Sequence, residues 1–299
     1  MARTAVRISS LMQYPIKSCG GMILEQAEID ESGLRGDRLL FVIDENGEGL
    51  GQATLPRMAL IHASLVGADL SVSAPGQDSL EVPVIDQGES RHTKHWYHEA
   101  PAVDQGDEAA HWFSEFLGTA CRLMGSAEAH KRTAPEKYSH IFSAQQSRFV
   151  AVAPILLTSE ASLADLNGRI ARPIRMNRFR QNLVIEGSAP FHEEWWARLW
   201  IGDLEFEKVA SSERCSITQL NQETAERGVE PIRTLAKYRR QPGGIGGGIV
   251  FGVYFRPLAP GVLHLGDEVT VLEVQNRFVP NDRTVVVAED DLPVPPSDL

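Results

Sequence analysis

The chain has 299 residues, of which 42% are hydrophobic and 23% charged, an ordinary composition for one or two globular domains. The net charge of −11 argues against non-specific nucleic-acid binding, because such binding needs a basic face to neutralise phosphates. No apolar run is long enough to cross a bilayer, and the first residues lack the apolar core of a signal peptide. We therefore expect a cytoplasmic protein with neither a nucleic-acid nor a membrane partner.

The first hundred residues predict β-structure. Short alternating or β-rich runs, separated by glycine and asparagine turn residues, occupy residues 6–12, 23–29, 39–43, 59–66 and 70–73. This pattern is typical of an antiparallel barrel or sandwich. A helix is predicted over residues 108–117, where apolar residues recur at helical spacing, and Gly118 stands where a C-cap glycine is expected.

The second half of the chain also predicts strands, after a polar stretch over residues 127–146 that we interpret as a long loop between two halves. A strand at residues 154–157 precedes a short helix with Ser159 as N-cap and Gly168 at its end. Further strands are predicted at residues 183–186, 204–209, 216–220, 249–255 and 268–274. The last is apolar and β-branched, which is typical of a strand buried on both faces. The sequence thus predicts a mainly β fold with a few helices, of the α+β class.

The three cysteines are Cys19, Cys121 and Cys215, an odd count without close pairs that does not indicate a disulfide framework. Free cysteines are usually small buried hydrophobic residues, and this reading stays open for Cys215. The alternative is a functional thiolate, because the adjacent Arg214 favours the ionised form that binds metals. A single thiolate suits a soft metal such as molybdenum when a cofactor supplies the other ligands.

Two further segments indicate anion binding. Residues 175–182 contain three arginines within six positions, which is either a solvated charged edge or a site for a phosphate or pterin. Residues 14–21 combine a lysine, a serine and two glycines, which is either a strand end with a turn or a phosphate cradle without the Walker spacing. The glycine run at residues 243–248 lacks a following helix, so we expect a surface loop there.

Two other groups of residues have weaker functional interpretations. His92, His95 and His98 have metal-ligand chemistry but lie in a segment without a helical pattern, so a metal site is the less favoured reading. Glu193 and Glu194 have the chemistry of acid–base residues, although a packed aromatic corner with surface carboxylates is the favoured reading.

Several ordered motifs together resemble the MOSC family, in particular the mitochondrial amidoxime-reducing component and its bacterial relatives. The resemblance covers about residues 6–273, and its markers lie at residues 14–19, 36–38, 159–167, 178–182, 214–215, 230–239, 251–252 and 266–269. It implies an N-terminal MOSC β-barrel domain at residues 1–126, a MOSC β-barrel domain at residues 127–275 and a C-terminal extension at residues 276–299.

The resemblance also implies roles for individual residues. Cys215 would be the catalytic residue and the protein ligand of a molybdenum–pterin cofactor. The other cofactor-binding residues would be Lys17, Ser18, Arg38, Arg180, Asn182 and Arg214. The first three would hold the phosphate and pterin end, and the last three would bind the pterin and its neighbours. Two positions depart from relatives: Glu213 stands where some have a cysteine, and Ala151-Val152 where many have Asp-Gly.

The implied activity is a molybdenum-dependent oxidoreductase that reduces N-hydroxylated small molecules such as amidoximes, hydroxylamines and N-hydroxylated bases. Because the chain has no cluster, haem or flavin motif, we expect an external electron donor such as a flavodoxin, a ferredoxin or a reductase. Three alternatives stay open. Cys215 carries a persulfide in sulfur transfer, the protein is a cofactor carrier without turnover, or the chain is a degenerate barrel whose Cys215 is merely packed.

Overall fold

The structure is a computed structural model that describes residues 5–95, 98–126, 153–241 and 248–275. Within these residues the chain is mostly strand, with three α-helices, which confirms the predicted fold class. The predicted loop at residues 127–146, the Ala151-Val152 departure, most of the glycine run and the C-terminal extension lie outside the described residues. Among the described helices, none combines the length and apolar character that a membrane span requires.

The elements follow one another in a strand-rich order. The strands are β1 (Arg7–Gln13), β2 (Met22–Leu24), β3 (Gln26–Asp30), β4 (Gly33–Leu34), β5 (Leu40–Asp44), β6 (His62–Val66), β7 (Asp69–Ala74), β8 (Gln77–Pro83), β9 (Ser90–His95), β10 (His98–Asp104), β11 (Cys121–Ser126), β12 (Ile155–Ser159), β13 (Leu183–Glu186), β14 (Trp196–Ile201), β15 (Leu204–Glu213), β16 (Val250–Pro257), β17 (Gly261–His264) and β18 (Val269–Val274). The α-helices are α1 (Asp107–Leu117), α2 (Glu160–Asn167) and α3 (Ile232–Tyr238), and 3-10 helices occupy Pro56–Leu60, Met176–Phe179, His192–Trp195 and Ser216–Gln219.

The largest sheet joins both halves of the chain. Its eight strands run in the order β18-β14-β15-β16-β12-β13-β1-β2, so the first two strands of the chain extend a sheet made from residues 155–274. β1 pairs antiparallel with β13, and a bulge between Ile8 and Ser10 shifts the register. Side chains of this sheet, such as Leu11 and Phe206, form one core with Ile29 and Leu263 of the three-stranded sheet β17-β3-β4.

A second core lies in the N-terminal half, between the sheets β5-β11-β10-β9 and β6-β7-β8. Helix α1 covers it with Trp112, Phe113 and Phe116, which share one face at helical spacing. Gly118 ends the helix in the left-handed conformation at φ 70°, so the predicted helix and its cap are confirmed.

The predicted helix after Ser159 is also confirmed. The Ser159 hydroxyl accepts a hydrogen bond from the Ala161 amide, as an N-cap does, and Gly168 is the C-cap residue. Leu163 and Leu166 are buried, as their spacing predicts.

Three strand predictions are wrong in part. Residues 59–66 do not form one strand, because a 3-10 helix with a proline in its first turn occupies Pro56–Leu60 and β6 begins only at His62. The predicted strand at residues 23–29 is divided between β2 and β3, which pair with strands of different sheets. Residues 268–274 do form β18, but it is an edge strand with Thr270 exposed rather than a strand buried on both faces.

The strand predicted at residues 216–220 is wrong as well. Ser216–Gln219 is a 3-10 helix whose first turn is closed by Thr218, because its amide and its hydroxyl both donate to the Cys215 carbonyl oxygen, at 3.2 and 3.0 Å. A hydroxyl that bonds locally to the main chain competes with strand pairing. The chain therefore leaves the sheet at Glu213, and Cys215 lies at the start of a turn.

Candidate functional site

Cys215 is the one exposed cysteine of the three, all of which lie in described residues. It lies two residues after the end of β15. Cys19 and Cys121 are buried in the N-terminal core, and burial raises the pKa of the Cys19 thiol to about 12 and that of Cys121 above its ordinary value. Cys215 is therefore the thiol that a metal or an electrophile can reach.

Arg214 connects Cys215 to the arginine-rich segment. Its guanidinium donates to the Phe179 carbonyl oxygen at 2.7 Å and to the Ser212 hydroxyl, while its amide donates to Ile249 at 2.7 Å. A second link runs from the Arg178 guanidinium to the Gln219 carbonyl oxygen at 3.0 Å. The two segments, distant along the chain, thus lie against each other beside Cys215.

Arg180 connects the same segment to the loop that contains Lys17. Its guanidinium donates to the Cys19 carbonyl oxygen at 2.6 Å, and its own carbonyl oxygen accepts from Arg38 at 2.9 Å. Arg38 is also paired with the buried Asp37 carboxylate. The structure therefore brings four predicted site residues, Arg38, Arg180, Arg214 and Cys215, to one region together with the loop.

Tyr14 lies between these groups. The guanidinium carbons of Arg38 and Arg180 stand 4.4 and 4.5 Å from the centroid of its ring, which is within cation–π range. The Asp37 carboxylate accepts a hydrogen bond from the Tyr14 amide at 2.8 Å. Tyr14 and Asp37 are site neighbours that reasoning from residue chemistry missed, although both stand within the motifs that carried the family resemblance.

The loop with Lys17 and Ser18 is fixed mainly through its main chain. The Lys17 amide donates to the Leu40 carbonyl oxygen at 2.8 Å, and the Ser18 carbonyl oxygen accepts from the Gln52 amide group, also at 2.8 Å. A Cβ atom at Gly51 would stand 3.0 Å from the Ser18 hydroxyl oxygen, so the glycine gives this hydroxyl its space. Both Lys17 and Ser18 are partly exposed.

Asn182 is placed differently from the other predicted residues. It is buried, and its side-chain amide accepts from the Leu156 amide and donates to the Met12 carbonyl oxygen, each at 3.2 Å. These contacts hold β12 and β1 together immediately after the arginine segment. The structure thus shows Asn182 in a supporting position below Arg180.

Three of the predicted binding residues have an unusual backbone. Ser18, Arg38 and Arg180 have φ values of 66°, 47° and 54°, in the left-handed region that disfavours residues with a Cβ atom. Such conformations cost on the order of 1–3 kcal/mol each and concentrate at functional sites. Their occurrence together supports a binding role for these loops.

The region carries excess positive charge. Within the described residues, Arg38 has a carboxylate partner, whereas Arg180 and Arg214 donate to carbonyl oxygens and a hydroxyl. Desolvation lowers the pKa of Arg180 to about 10, and the neighbouring Arg38 acts in the same direction. An anionic ligand would relieve both effects.

The described residues do not provide a metal centre made from protein ligands alone. The described part of the chain holds no cluster of three or more His, Cys, Asp and Glu side chains suited to a metal ion. A metal at Cys215 would therefore take its other ligands from a bound cofactor.

The interpretation of Glu193 and Glu194 as surface carboxylates is wrong. Glu193 is fully buried and accepts from the Ser162 hydroxyl at 2.7 Å, and Glu194 forms a buried ion pair with Arg239. A buried carboxylate needs a partner, and here the partner of Glu194 is Arg239, which is too distant in sequence for spacing to reveal it.

The fold is that of a mainly β protein. It carries a candidate anion site, formed by arginines near one exposed cysteine. Comparison with protein families gives the class: the MOSC N-terminal beta barrel domain matches residues 5–120, and the MOSC domain matches residues 144–270. The chain belongs to the MOSC family that includes the mitochondrial amidoxime-reducing components. The domain boundaries at residues 126 and 275 stay predictions.

Curated relatives cover most of the chain. It is 33% identical to mitochondrial amidoxime reducing component 2 of Bos taurus over 278 residues, 88% of this chain and 82% of that protein. It is 32% identical to mitochondrial amidoxime-reducing component 1 of Homo sapiens over 278 residues, 89% and 82% of the two chains. A molybdenum cofactor sulfurase of Danio rerio is 30% identical over 267 residues, 83% of this chain and 31% of that protein.

Proposed function

We propose that this protein binds a molybdenum–pterin cofactor with Cys215 as the protein ligand of the metal, and that it reduces N-hydroxylated compounds. The observation that carries the proposal is an exposed Cys215 whose chain neighbour Arg214 contacts the segment of Arg180 through the Phe179 carbonyl oxygen. In the described residues, neither of these two guanidinium groups has a carboxylate partner. The amidoxime-reducing relatives support the same class of activity.

The residues present fit such a cofactor on two physical grounds. First, buried polar atoms are left unused: within the described residues, the Arg214 Nε and the Tyr14 hydroxyl have no hydrogen-bond partner. Unsatisfied buried groups cost about 1–3 kcal/mol each, so a ligand with acceptor atoms would stabilise them. Second, a lone thiolate provides the soft donor that molybdenum accepts.

Different site residues would bind different parts of the cofactor. Cys215 would hold the metal through its sulfur, and Arg214, adjacent in the chain, would fix the position of Cys215 through its bonds to Phe179 and Ser212. Arg180 and Arg38 would neutralise the anionic parts of the cofactor, with Lys17 and Ser18 at the phosphate. Asn182 would act indirectly, because its side-chain amide holds β12 and β1 together next to the segment that contains Arg180.

The reaction consumes two electrons and two protons: an N-hydroxylated substrate becomes an amine or an amidine, the N–O bond breaks and the oxygen leaves as water. When bound, the cofactor supplies the two-electron redox step that amino-acid side chains cannot supply. The electrons would come from a separate donor, such as a flavodoxin, a ferredoxin or a reductase. Glu213, at the end of β15, would add negative charge two residues before Cys215 and thereby disfavour anionic substrates.

Elemental analysis tests the cofactor. Protein made in a molybdenum-sufficient host is expected to contain about one molybdenum atom per chain, because one thiolate binds one metal centre. The variant C215S should lose the metal and the reduction of benzamidoxime by a chemical reductant, whereas C121A, which removes a buried thiol, should keep both. Wild-type protein without molybdenum, or C215S with a full complement, would contradict the proposal.

Sulfur transfer is the second candidate function, because the sulfurase of Danio rerio aligns with most of this chain. In that case the exposed Cys215 would carry a persulfide supplied by another protein, and no molybdenum would be retained. Mass spectrometry of Cys215 after incubation with a sulfur-donating cysteine desulfurase, together with the metal assay, separates the two functions. A cofactor carrier would hold molybdenum yet show no turnover of benzamidoxime.

A further inference from the structure

The hydroxyl of Tyr14 is buried and has no hydrogen-bond partner among the described residues. The residue as a whole is 2% exposed, so bulk water does not satisfy the group. A buried hydroxyl without a partner is uncommon in native proteins, and a bound ligand is one physical explanation for it.

The position of the Tyr14 ring is fixed from two directions. A Cβ atom at Gly21 would stand 2.6 and 2.9 Å from the ring carbons Cδ1 and Cε1, so the ring packs directly against the glycine backbone. The guanidinium groups of Arg38 and Arg180 lie 4.4 and 4.5 Å from its centroid. The hydroxyl therefore cannot turn away to a new partner without disturbing both arginines.

The surroundings of the ring are suited to an anion. The two arginines place positive charge beside the ring, and the nearby Asp37 carboxylate is occupied by Arg38 and by the Tyr14 amide, not by the hydroxyl. Because both guanidinium carbons stand within 4.5 Å of the ring centroid, an anionic ligand held by the two arginines would lie beside the Tyr14 ring.

We propose that Tyr14 is a further ligand-binding residue, whose hydroxyl donates a hydrogen bond to an anionic oxygen of the ligand that Arg38 and Arg180 hold. This assignment rests on the proposed function, in which the ligand is the molybdenum–pterin cofactor. The Tyr14 hydroxyl would add a neutral hydrogen-bond donor to the predicted binding residues. This donor would favour a ligand whose oxygen lies at the hydroxyl over any other anion bound near the two arginines.

The protonation state of the phenol agrees with a donor role. Burial raises the pKa of Tyr14 above its ordinary value, and this effect outweighs the opposing influence of Arg180 and Arg38. The hydroxyl thus keeps its proton at neutral pH.

The test compares Y14F with wild type in the full chain. Y14F keeps the ring and its contacts with Arg38 and Arg180 but removes the hydroxyl. In cofactor-free protein we expect an equal or higher melting temperature, because a buried unsatisfied group is removed. In titrations with the pterin cofactor released from another molybdoenzyme, followed by fluorescence, we expect about tenfold weaker binding, the effect of losing one hydrogen bond to a charged group.

Y238F is the matched control. Tyr238 is also buried with a guanidinium over its ring, but its hydroxyl already donates to the Asp165 carboxylate at 3.0 Å. Y238F should therefore lower the melting temperature of the cofactor-free protein and leave cofactor affinity unchanged. Y14F should thus lower cofactor affinity without lowering the melting temperature, and Y238F should do the reverse. A merely structural role of Tyr14 does not produce this contrast.

The other outcomes overturn the assignment. If Y14F binds the cofactor as wild type does, the hydroxyl does not contact the ligand. If its melting temperature and its affinity fall together, the hydroxyl has a partner within the protein. A second measurement uses fluorotyrosine: the fluorine resonance of Tyr14 should shift on cofactor binding, and its constancy would also overturn the assignment. If the wild-type protein itself binds no cofactor, that result refutes the proposed function.

Discussion

Gln52 and Gln222 exchange two side-chain hydrogen bonds, of 2.9 and 3.1 Å, across 170 positions of the chain. Gln52 donates in addition to the Ser18 carbonyl oxygen at 2.8 Å, and Gln222 donates to Leu220 at 3.3 Å. Both side chains are buried. This amide pair therefore joins the loop of Ser18 to the segment that follows Cys215, and it fixes the separation of two parts of the candidate site.

We expect Q52A to destabilise the protein by about 1–3 kcal/mol, because it leaves the Gln222 amide and the Ser18 carbonyl oxygen without a buried partner. Urea unfolding of cofactor-free protein measures this loss. Molybdenum content should fall as well, since the two loops lose their common anchor. Q26A, at an exposed position of β3, is the control and should change neither quantity. Unaltered stability of Q52A would show that the pair is dispensable.

The cysteines allow a second prediction. Cofactor-free protein should show one rapidly reacting thiol with a colorimetric disulfide reagent, and three after unfolding, because only Cys215 is exposed in the fold. Burial raises the pKa of the other two thiols, which suppresses their reactive thiolate forms. C215S should lose the fast reaction entirely. A fast phase that persists in C215S would mean that Cys19 or Cys121 is accessible in solution.

Local signals accounted for the elements that the sequence predicted correctly. The helical spacing of α1 with Gly118, the N-cap Ser159 and the boundaries of β13 all depend on neighbouring residues. Strands such as β9 and β10 were missed because their residues are polar and their pairing is set by the partner strand. Residues 216–220 predict a strand because their apolar side chains suit a strand and a turn alike, and the local hydrogen bond of Thr218 to the Cys215 carbonyl oxygen decides for the turn.

The sequence predicts those parts of the site whose charged or reactive residues lie close together along the chain. Arginines within six positions and a cysteine next to Arg214 are visible in the sequence. The contacts that bring them together are not visible, because Arg180 meets Cys19 across 161 positions. Uncharged residues near the candidate site have no such signal in the sequence. Only the fold reveals that Tyr14, Gln52 and Gln222 lie near the candidate site.

The buried Glu193 predicts a specific pH dependence of stability. Burial raises its pKa from an ordinary 4.5 to about 7, with Glu194 as a second cause, while Ser162 and Arg239 oppose the shift. Since the pKa of the folded state lies above that of the unfolded chain, the folded state binds the proton more tightly. Stability is therefore greatest below about pH 4.5 as far as this group is concerned, and it is lost as the pH rises towards 7.

The variant E193Q isolates this contribution, because glutamine keeps the shape and carries no charge. The free energy of unfolding of E193Q minus that of wild type should grow between pH 4.5 and pH 7 by up to about 3 kcal/mol, then stay constant. E81Q, at an exposed position of β8, should show no such growth. A difference that shrinks as the pH rises would contradict the assigned sign.

The ion pair of Arg239 with Glu194 gives the last prediction. Both side chains are buried, and the guanidinium also lies 4.0 Å from the centroid of the Phe191 ring. Replacing one partner of a buried pair leaves an uncompensated charge, so R239M should destabilise the protein by about 3–5 kcal/mol. The exposed counterpart is Arg256 with Glu207, where both side chains are about one-third exposed, and R256M should cost less than about 1 kcal/mol.

A double variant distinguishes charge burial from lost packing in this prediction. If the uncompensated Glu194 carboxylate causes the loss, R239M combined with E194Q should be more stable than R239M alone, because the isolated charge is gone. If lost contacts with Phe191 cause it, the two substitutions should add. Denaturant unfolding of the four proteins at pH 7 measures the coupling. Phe191 packs against Phe251, and Phe251 stacks on Phe179 with ring centroids 3.9 Å apart. The Phe179 carbonyl oxygen in turn accepts a hydrogen bond from Arg214. Loss of the ion pair of Arg239 with Glu194 should therefore also loosen the Cys215 region.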